Sequence, residues 1–355
     1  MILTSAILEV NLKNLRFNYN YLKYLNKGKY TGAVIKADAY GLGSIKIIKN
    51  LYKIGCKHFF VATIDEALKI RKSFKKGNLY VLNGVEKKFI NQHLIKNNII
   101  PIINSISDLI KIKSIKKKIK IGIHIDTGIN RLGIPIKDLK KYKFNDKLSI
   151  NLIMSHLASA NEKNNNFNKK QELLFNKIAN KYFKLNLKSL SNSAGIKLGN
   201  NFHYDIVRPG ISLYGGHNNS SLKKKIKPVI KLKAKVLQIK HINKNEYVGY
   251  NQTFKAKKNM IIAIIGIGYA DGIFRKLSNI GNVYYKKYKF KIIGRISMDS
   301  ITINISNNSK LIKVGDFLEI INYENDIEKI AKICDTISNE ILTSISNRVK
   351  RIYIN

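Results

Sequence analysis

The 355-residue chain is 45% hydrophobic, enough for two cores, since single cores stop growing at roughly 250 to 300 residues. Its 65 Lys and Arg against 22 Asp and Glu give a formal charge of +43, a balance that ordinarily points to nucleic acid or an anionic membrane. The lysines are spread from end to end among abundant Ile and Asn, runs such as Lys116 to Lys118 and Lys223 to Lys225 are short, and no aromatic-interleaved groove or nucleic-acid motif accompanies them; a solvated face accounts for them, and no specific nucleic-acid partner is expected.

Cys56 and Cys334 lie far apart without CxxC spacing, which gives a disulfide framework or a metal site no support. Both are expected as buried thiols. The start, MILTSAILEVNLKNL, lacks a basic segment followed by an apolar run, and the longest apolar stretch, Met260 to Ile267, is too short to cross a bilayer. A cytoplasmic protein without a membrane partner is expected.

In chain order, short apolar runs near 32–37, 58–63, 79–83, 99–103, 119–127, 151–157, 188–192 and 205–209 predict eight strands. Helical patterns separate them, among them IDEALKIRKSF, where Asp65 and Glu66 suit a helix N-terminus, and NKKQELLFNKIANKYF. The Asn/Lys-rich segment Asn161 to Lys170 reads as a loop after the sixth strand. Eight strands alternating with helices predict an α/β fold, a (β/α)8 TIM-like barrel over residues 1–222. From Pro228 the pattern becomes strand-rich without comparable helices (PVIKLKAKVLQIK, MIIAIIGIGYA, VYYKKYKFKIIG, SITINI), predicting a mostly-β domain over 223–355. The closing stretch IEKIAKICDTISNEILTSI is expected as a helix packed on it.

A barrel carries its chemistry at the C-terminal ends of its strands. The first predicted strand ends in Lys36, before Ala37-Asp38-Ala39-Tyr40-Gly41-Leu42-Gly43. Such a lysine is either a rim residue or an amine held inside the pocket. Tyr40 and the paired glycines favour the second, because a backbone that can approach closely beside a hydroxyl suits a phosphate-bearing ligand. The other strand ends supply His124, Asp126 and Arg131, then His156, then Asn192 and Ser193, then Arg208 before Pro209-Gly210-Ile211. Singly, each has an ordinary structural explanation; together they converge on one barrel mouth.

The segments AVIKADAYGLG, DTGINRLG, MSHLASA, SNSAG, RPGISLYG, VGYNQTF, GIGYADG and GRISMD resemble, in order and over nearly the whole chain, the signature segments of the alanine racemases. The resemblance implies a pyridoxal 5′-phosphate enzyme that interconverts L- and D-alanine and supplies D-alanine for peptidoglycan. It implies that Lys36 holds the cofactor as a Schiff base, that Tyr40, Ser193, Gly210 and Ile211 hold its phosphate, that His156 packs beside it, and that Arg208 faces its ring nitrogen. Lys36 and Tyr250 become the two acid–base groups, exchanging the protons of D- and L-alanine respectively. Arg131 binds near the substrate carboxylate, and Tyr250 and Met298 complete the site of the partner subunit in a homodimer; Tyr269 narrows the entrance. For Asp299, Asp271 and Arg275 structural support is an equal reading. The sequence departs from the family at His124, where a carbamylated lysine often orients the arginine of the RLG turn, and at Asn347, where some members have a phosphate-binding tyrosine. A racemase of broader specificity, acting on serine, and a decarboxylase of the same architecture stand as alternatives, the latter disfavoured by the β-domain segments.

Overall fold

The computed structural model describes residues 4–85, 94–113, 119–142, 148–217, 222 and 225–355. The lysine run 116–118 and Lys223 and Lys224 lie outside the described residues. The chain divides into two compact units, one of Arg16–Leu213 with His217–Ile226, the other of Met1–Leu15, Tyr214–Gly216 and Lys227–Asn355.

The first unit is the predicted barrel. Its strands are Tyr30–Thr31 (β2) with Ala33–Val34 (β3), His58–Val61 (β4), Asn78–Val81 (β5), Ile99–Ile103 (β6), Ile119–Asp126 (β7), Leu148–Met154 (β9), Leu187–Ser189 (β10) and Ile206–Val207 (β11). Parallel pairing runs continuously from β3 through β4, β5, β6, β7 and β9 to β10. β11 pairs with β2, and Asp205 N–H and Arg208 N–H donate to Lys188 O (3.0 Å) and Ser191 O (2.9 Å). Among the described residues these last bonds close the cylinder. Strands buried on both faces read as near-continuous apolar runs, as IIPII does here and HFFV does after its first residue, while IKIGIHID is interrupted by Lys120, His124 and Asp126. Phe60, Tyr80, Ile100, Ile102, Leu152, Met154 and Ile206 fill part of the interior, with Phe60 and Tyr80 stacked at 4.7 Å.

One predicted loop is partly helix. Helix α7 spans Asn166–Tyr182, and Asn165 caps it by accepting from Phe167 N–H. The Asn-rich composition of 161–170 therefore marks a helix start as well as a loop, since Asn is a favoured N-cap.

The second unit is built on the long strand Ile230–Ile242 (β12), whose first half alternates buried and partly exposed residues. It pairs antiparallel with Ala6–Asn11 (β1) and Phe317–Ile321 (β19), then with Met260–Ile265 (β15) beyond a register shift between Val236 and Gln238. Here the structure departs from a boundary at residue 222. β1 lies between β12 and the last strand, Lys350–Ile354 (β20), with Ile7 opposite Lys350, so the first residues of the chain are part of the β unit. Only long-range pairing decides this, and no local pattern reports it. The closing amphipathic stretch is two helices, Ile327–Cys334 (α8) and Ser338–Ser344 (α9), because Asp335 turns left-handed at φ 58° and ends the first. Cys56 and Cys334 are free and buried, as expected.

Candidate active site

Ile35 N–H donates to Phe60 O (2.8 Å), keeping the chain in the sheet up to Lys36. Beyond it Ala37, Asp38, Ala39 and Tyr40 take φ of 51°, 52°, 57° and 57°, one full left-handed turn without glycine. Such a conformation costs roughly 1–2 kcal/mol for each L-residue and persists only where the surroundings over-determine it. Asp38 Oδ1 accepts from Ser44 N–H (2.9 Å) and Ser44 Oγ–H (2.6 Å), tying the far end of the turn to helix α3 (Ser44–Lys53). The Lys36 amine is half-buried, and desolvation, reinforced by Arg131, holds it below the usual lysine range while Glu66 opposes the shift.

Tyr40 is buried, its phenol pushed up to about 12 by desolvation. A Cβ on Gly210 would overlap the Tyr40 hydroxyl, so glycine is required for these two segments to meet. Val34 N–H donates to Pro209 O (2.9 Å), which sets Gly210 against the end of the lysine strand. Ser193 Oγ accepts from Gly210 N–H (2.9 Å) and Ser212 N–H (3.3 Å). Ile211 opens the short turn Ile211–Tyr214, and the buried Ser212 hydroxyl has no partner among the described residues. The Ser193 hydroxyl, the unpartnered Ser212 hydroxyl and the Tyr40 phenol thus lie on or against the Gly210–Ser212 segment, which approaches Tyr40 too closely for any side chain at position 210. This donor set fits a phosphate.

Arg208 is buried; its guanidinium donates to Ser189 Oγ, Ser155 O (2.7 Å) and Leu190 O (3.4 Å), and burial draws it down to about 9. His156 is held well below its usual value by desolvation, then by Arg208, Arg131, His124 and Lys36, so its ring is neutral. Gln171 on α7 accepts from Ala158 N–H (2.8 Å) and donates to His156 O (3.0 Å) and Thr127 Oγ1 (3.2 Å), fixing the loop that carries His156. Asp126 Oδ1 accepts from Gly128 N–H (2.9 Å) and Asn130 N–H (3.3 Å) and shapes the turn bearing the exposed Arg131. His124, at the departure from the family pattern, is buried, with Nδ1 bonded to Asn104 Oδ1 (2.9 Å) and Nε2 unpartnered among the described residues.

Lys36, Tyr40, Arg131, His156, Ser193, Arg208, Gly210 and Ile211 all belong to the barrel unit; Tyr250 and Met298 belong to the β unit. There Tyr250 is 68% and Met298 52% exposed, high values for large apolar side chains. Tyr269 N–H and Ala270 N–H donate to Ser297 O and Met298 O (both 3.0 Å), so the GYADG segment sets the loop that presents Met298. Arg348 braces the same region, bonding Asp299 at 2.7 Å and Asp271 at 3.3 Å, which gives both acids the structural role. Asn347 is exposed. Gln171, Asn104 and Arg348 were not singled out by motif; the buried polar positions of α7 were the one available signal for Gln171.

The chain matches the model of the alanine racemase N-terminal domain over residues 10–218 and that of the C-terminal domain over residues 229–353. It belongs to the alanine racemase family. It is 36% identical to the alanine racemase of Brucella abortus, over 98% of this chain and 93% of that one, and 37% identical to that of Rickettsia akari, over 98% of each. Among solved structures, the alanine racemase of Bartonella henselae with covalently bound pyridoxal phosphate superposes with a TM-score of 0.92 at 37% identity, covering 99% of this chain and 100% of that one. The alanine racemase of Clostridium difficile gives 0.92 at 30% identity, covering 100% and 97%.

Proposed function

We infer that the chain interconverts L- and D-alanine with pyridoxal 5′-phosphate, working as a homodimer in the cytoplasm and supplying D-alanine for peptidoglycan. The carrying observation is one arrangement: Lys36 at the start of a strained turn, with its amine biased toward the free base, on the strand that Pro209 joins to the Tyr40, Ser193 and Gly210 constellation.

When bound, the cofactor draws electrons from the substrate Cα and acidifies its proton. Lys36 would hold it covalently, a role that needs an unprotonated amine. Tyr40, Ser193 and the N–H groups of Gly210 and Ile211 would hold its phosphate; neutral His156 would pack against it. Arg208 would meet the ring nitrogen with a cation that does not give up its proton readily, moderating the electron withdrawal. Arg131 would bind the substrate carboxylate. Lys36 would move the Cα proton on the D-alanine face and Tyr250 that on the L-alanine face, since inversion requires groups on opposite sides.

Tyr250 and Met298 would reach the site of the partner subunit, a reading supported by their exposure. The labour would then follow the chain, cofactor binding within 1–222 and the second acid–base group within 223–355, although β1 is paired into the β unit.

The test is formation of D-alanine from L-alanine by the PLP-loaded protein, with borohydride trapping to locate the phosphopyridoxyl label. Turnover with the label on Lys36 is expected. No turnover across a panel of amino acids, or a label that persists elsewhere in Lys36→Ala, would sink the reading.

A further inference from the structure

Glu66 stands where a helix-capping acid is expected, at the third position of α4 (Ile64–Ser73). Thr63 Oγ1 accepts from Glu66 N–H (3.3 Å), and Glu66 Oε2 accepts from Thr63 N–H (3.3 Å), a reciprocal capping box. The carboxylate does more than cap. Oε2 also accepts from Ala62 N–H (2.7 Å) at the end of β4, and Oε1 accepts from Ala37 N–H at 2.6 Å. One side chain therefore joins the ends of two neighbouring barrel strands.

Ala37 is the first residue of the left-handed turn, and its N–H shares a peptide plane with the Lys36 carbonyl. Holding that N–H fixes the backbone rotation after Lys36, and with it the direction in which the lysine side chain leaves the strand. Short charge-assisted bonds of this kind are roughly twice as strong as neutral ones, enough to offset part of the strain of four residues at positive φ. The same carboxylate is the negative charge set against burial and Arg131 at the Lys36 amine.

We propose that Glu66 is a positioning residue for Lys36, clamping Ala37 N–H to the end of β4 so that the strained turn presents the amine to the cofactor. This rests on reading Lys36 as the cofactor lysine. Its carboxylate is bonded to the N–H groups of Ala37, Ala62 and Thr63, so Glu66 acts through the Lys36–Ala37 peptide.

The test compares full-length wild type, Glu66→Gln and Thr63→Ala. A carboxamide has one acceptor oxygen and presents an NH2 to the other donors, so Glu66→Gln must release one arm, whereas Thr63→Ala removes the helix cap alone. Two readouts are followed: hydrogen exchange at the amides of residues 37–41 in the PLP-loaded protein, and the rate at which Lys36 recaptures PLP, mapped by borohydride trapping. Glu66→Gln is expected to speed exchange about tenfold and slow capture roughly 10- to 100-fold, with Thr63→Ala within about twofold of wild type. Should Glu66→Gln not fold, Glu66→Asp retains the charge but falls one methylene short of Ala37 and is expected to slow capture alike. Wild-type exchange and capture in the Glu66 variants, or equal changes in Thr63→Ala, overturn the clamp. A wild-type label on a residue other than Lys36 overturns the underlying reading instead, and the two failures are told apart by where the label sits.

Discussion

His124 Nδ1 lies 2.9 Å from Asn104 Oδ1, and that contact decides which ring nitrogen carries the proton. The Asn104 amide nitrogen donates to Leu82 O (2.8 Å) and Ile102 O (3.2 Å), so its oxygen faces the ring and Nδ1 must be the donor. Burial and the Arg208 charge push the ring down to about 3, leaving it neutral with Nε2 an acceptor that has no partner among the described residues. The expected nitrogen NMR signature is one Nδ1–H tautomer, unchanged between pH 5 and pH 8. A titration inside that window would refute it.

The buried histidines make stability depend on pH. Desolvation lowers His58 to about 4, and desolvation with the Arg208 charge lowers His124 to about 3. The unfolded rings bind protons below about 6.5 while the folded ones do not. Their contribution is therefore fully present above about pH 6.5 and is lost as the pH falls toward the folded values. Each ring should cost about 2 kcal/mol between pH 7 and pH 5. Urea unfolding of His124→Asn should show a correspondingly smaller loss between the two pH values; an identical loss would contradict the assignment.

Gly210→Ala places a methyl group against the Tyr40 hydroxyl. Overpacking of this kind costs typically 1–3 kcal/mol, so PLP affinity, read by titrating the cofactor absorbance, should fall about tenfold or more. Tyr40→Phe in the same chain removes the colliding oxygen and, although it also removes a phosphate contact, should restore part of the stability to urea that Gly210→Ala loses, the ring carbon remaining 3.2 Å from the new Cβ. Independent, additive effects would show that the two residues do not meet.

How far the sequence reaches differs from residue to residue. The barrel strands were legible because strands covered on both faces are near-continuous apolar runs. The left-handed turn was not, since Ala37, Asp38, Ala39 and Tyr40 have no shared preference for positive φ; surrounding bonds impose it, among them those from Ala37 N–H to Glu66 and from Ser44 to Asp38. The pairing of Ile7 with Lys350 joins opposite ends of the chain, beyond any local pattern. Tyr250, exposed in a short turn, carries no periodic signal, and the VGYNQTF motif alone marks it.

Tyr250→Phe separates the two faces of the proposed reaction. Loss of a positioned acid–base group costs roughly 10²- to 10⁴-fold, so racemisation in both directions should fall by that factor. Lys36 remains, and D-alanine should still exchange its Cα proton with deuterated solvent while L-alanine should not. Equal loss of exchange from both enantiomers would remove the assignment of one face to each residue.

Arg208→Glu tests whether the buried cation governs the fate of the substrate. The guanidinium is held by Ser189, Ser155 and Leu190, so its charge stays at one place beside the site. A cation there disfavours a proton on the cofactor ring nitrogen, whereas a carboxylate would favour it and strengthen electron withdrawal. With a carboxylate in place of the cation, return of the proton to Cα would compete less well with its transfer to the cofactor, the route to the transamination product. The fraction of turnovers ending in the pyridoxamine form should rise about tenfold, a shift of about 1.4 kcal/mol in the partition. Arg208→Lys keeps the charge and should keep the wild-type partition, so a rise in both variants would implicate lost packing rather than lost charge, and no rise in Arg208→Glu would refute the role outright.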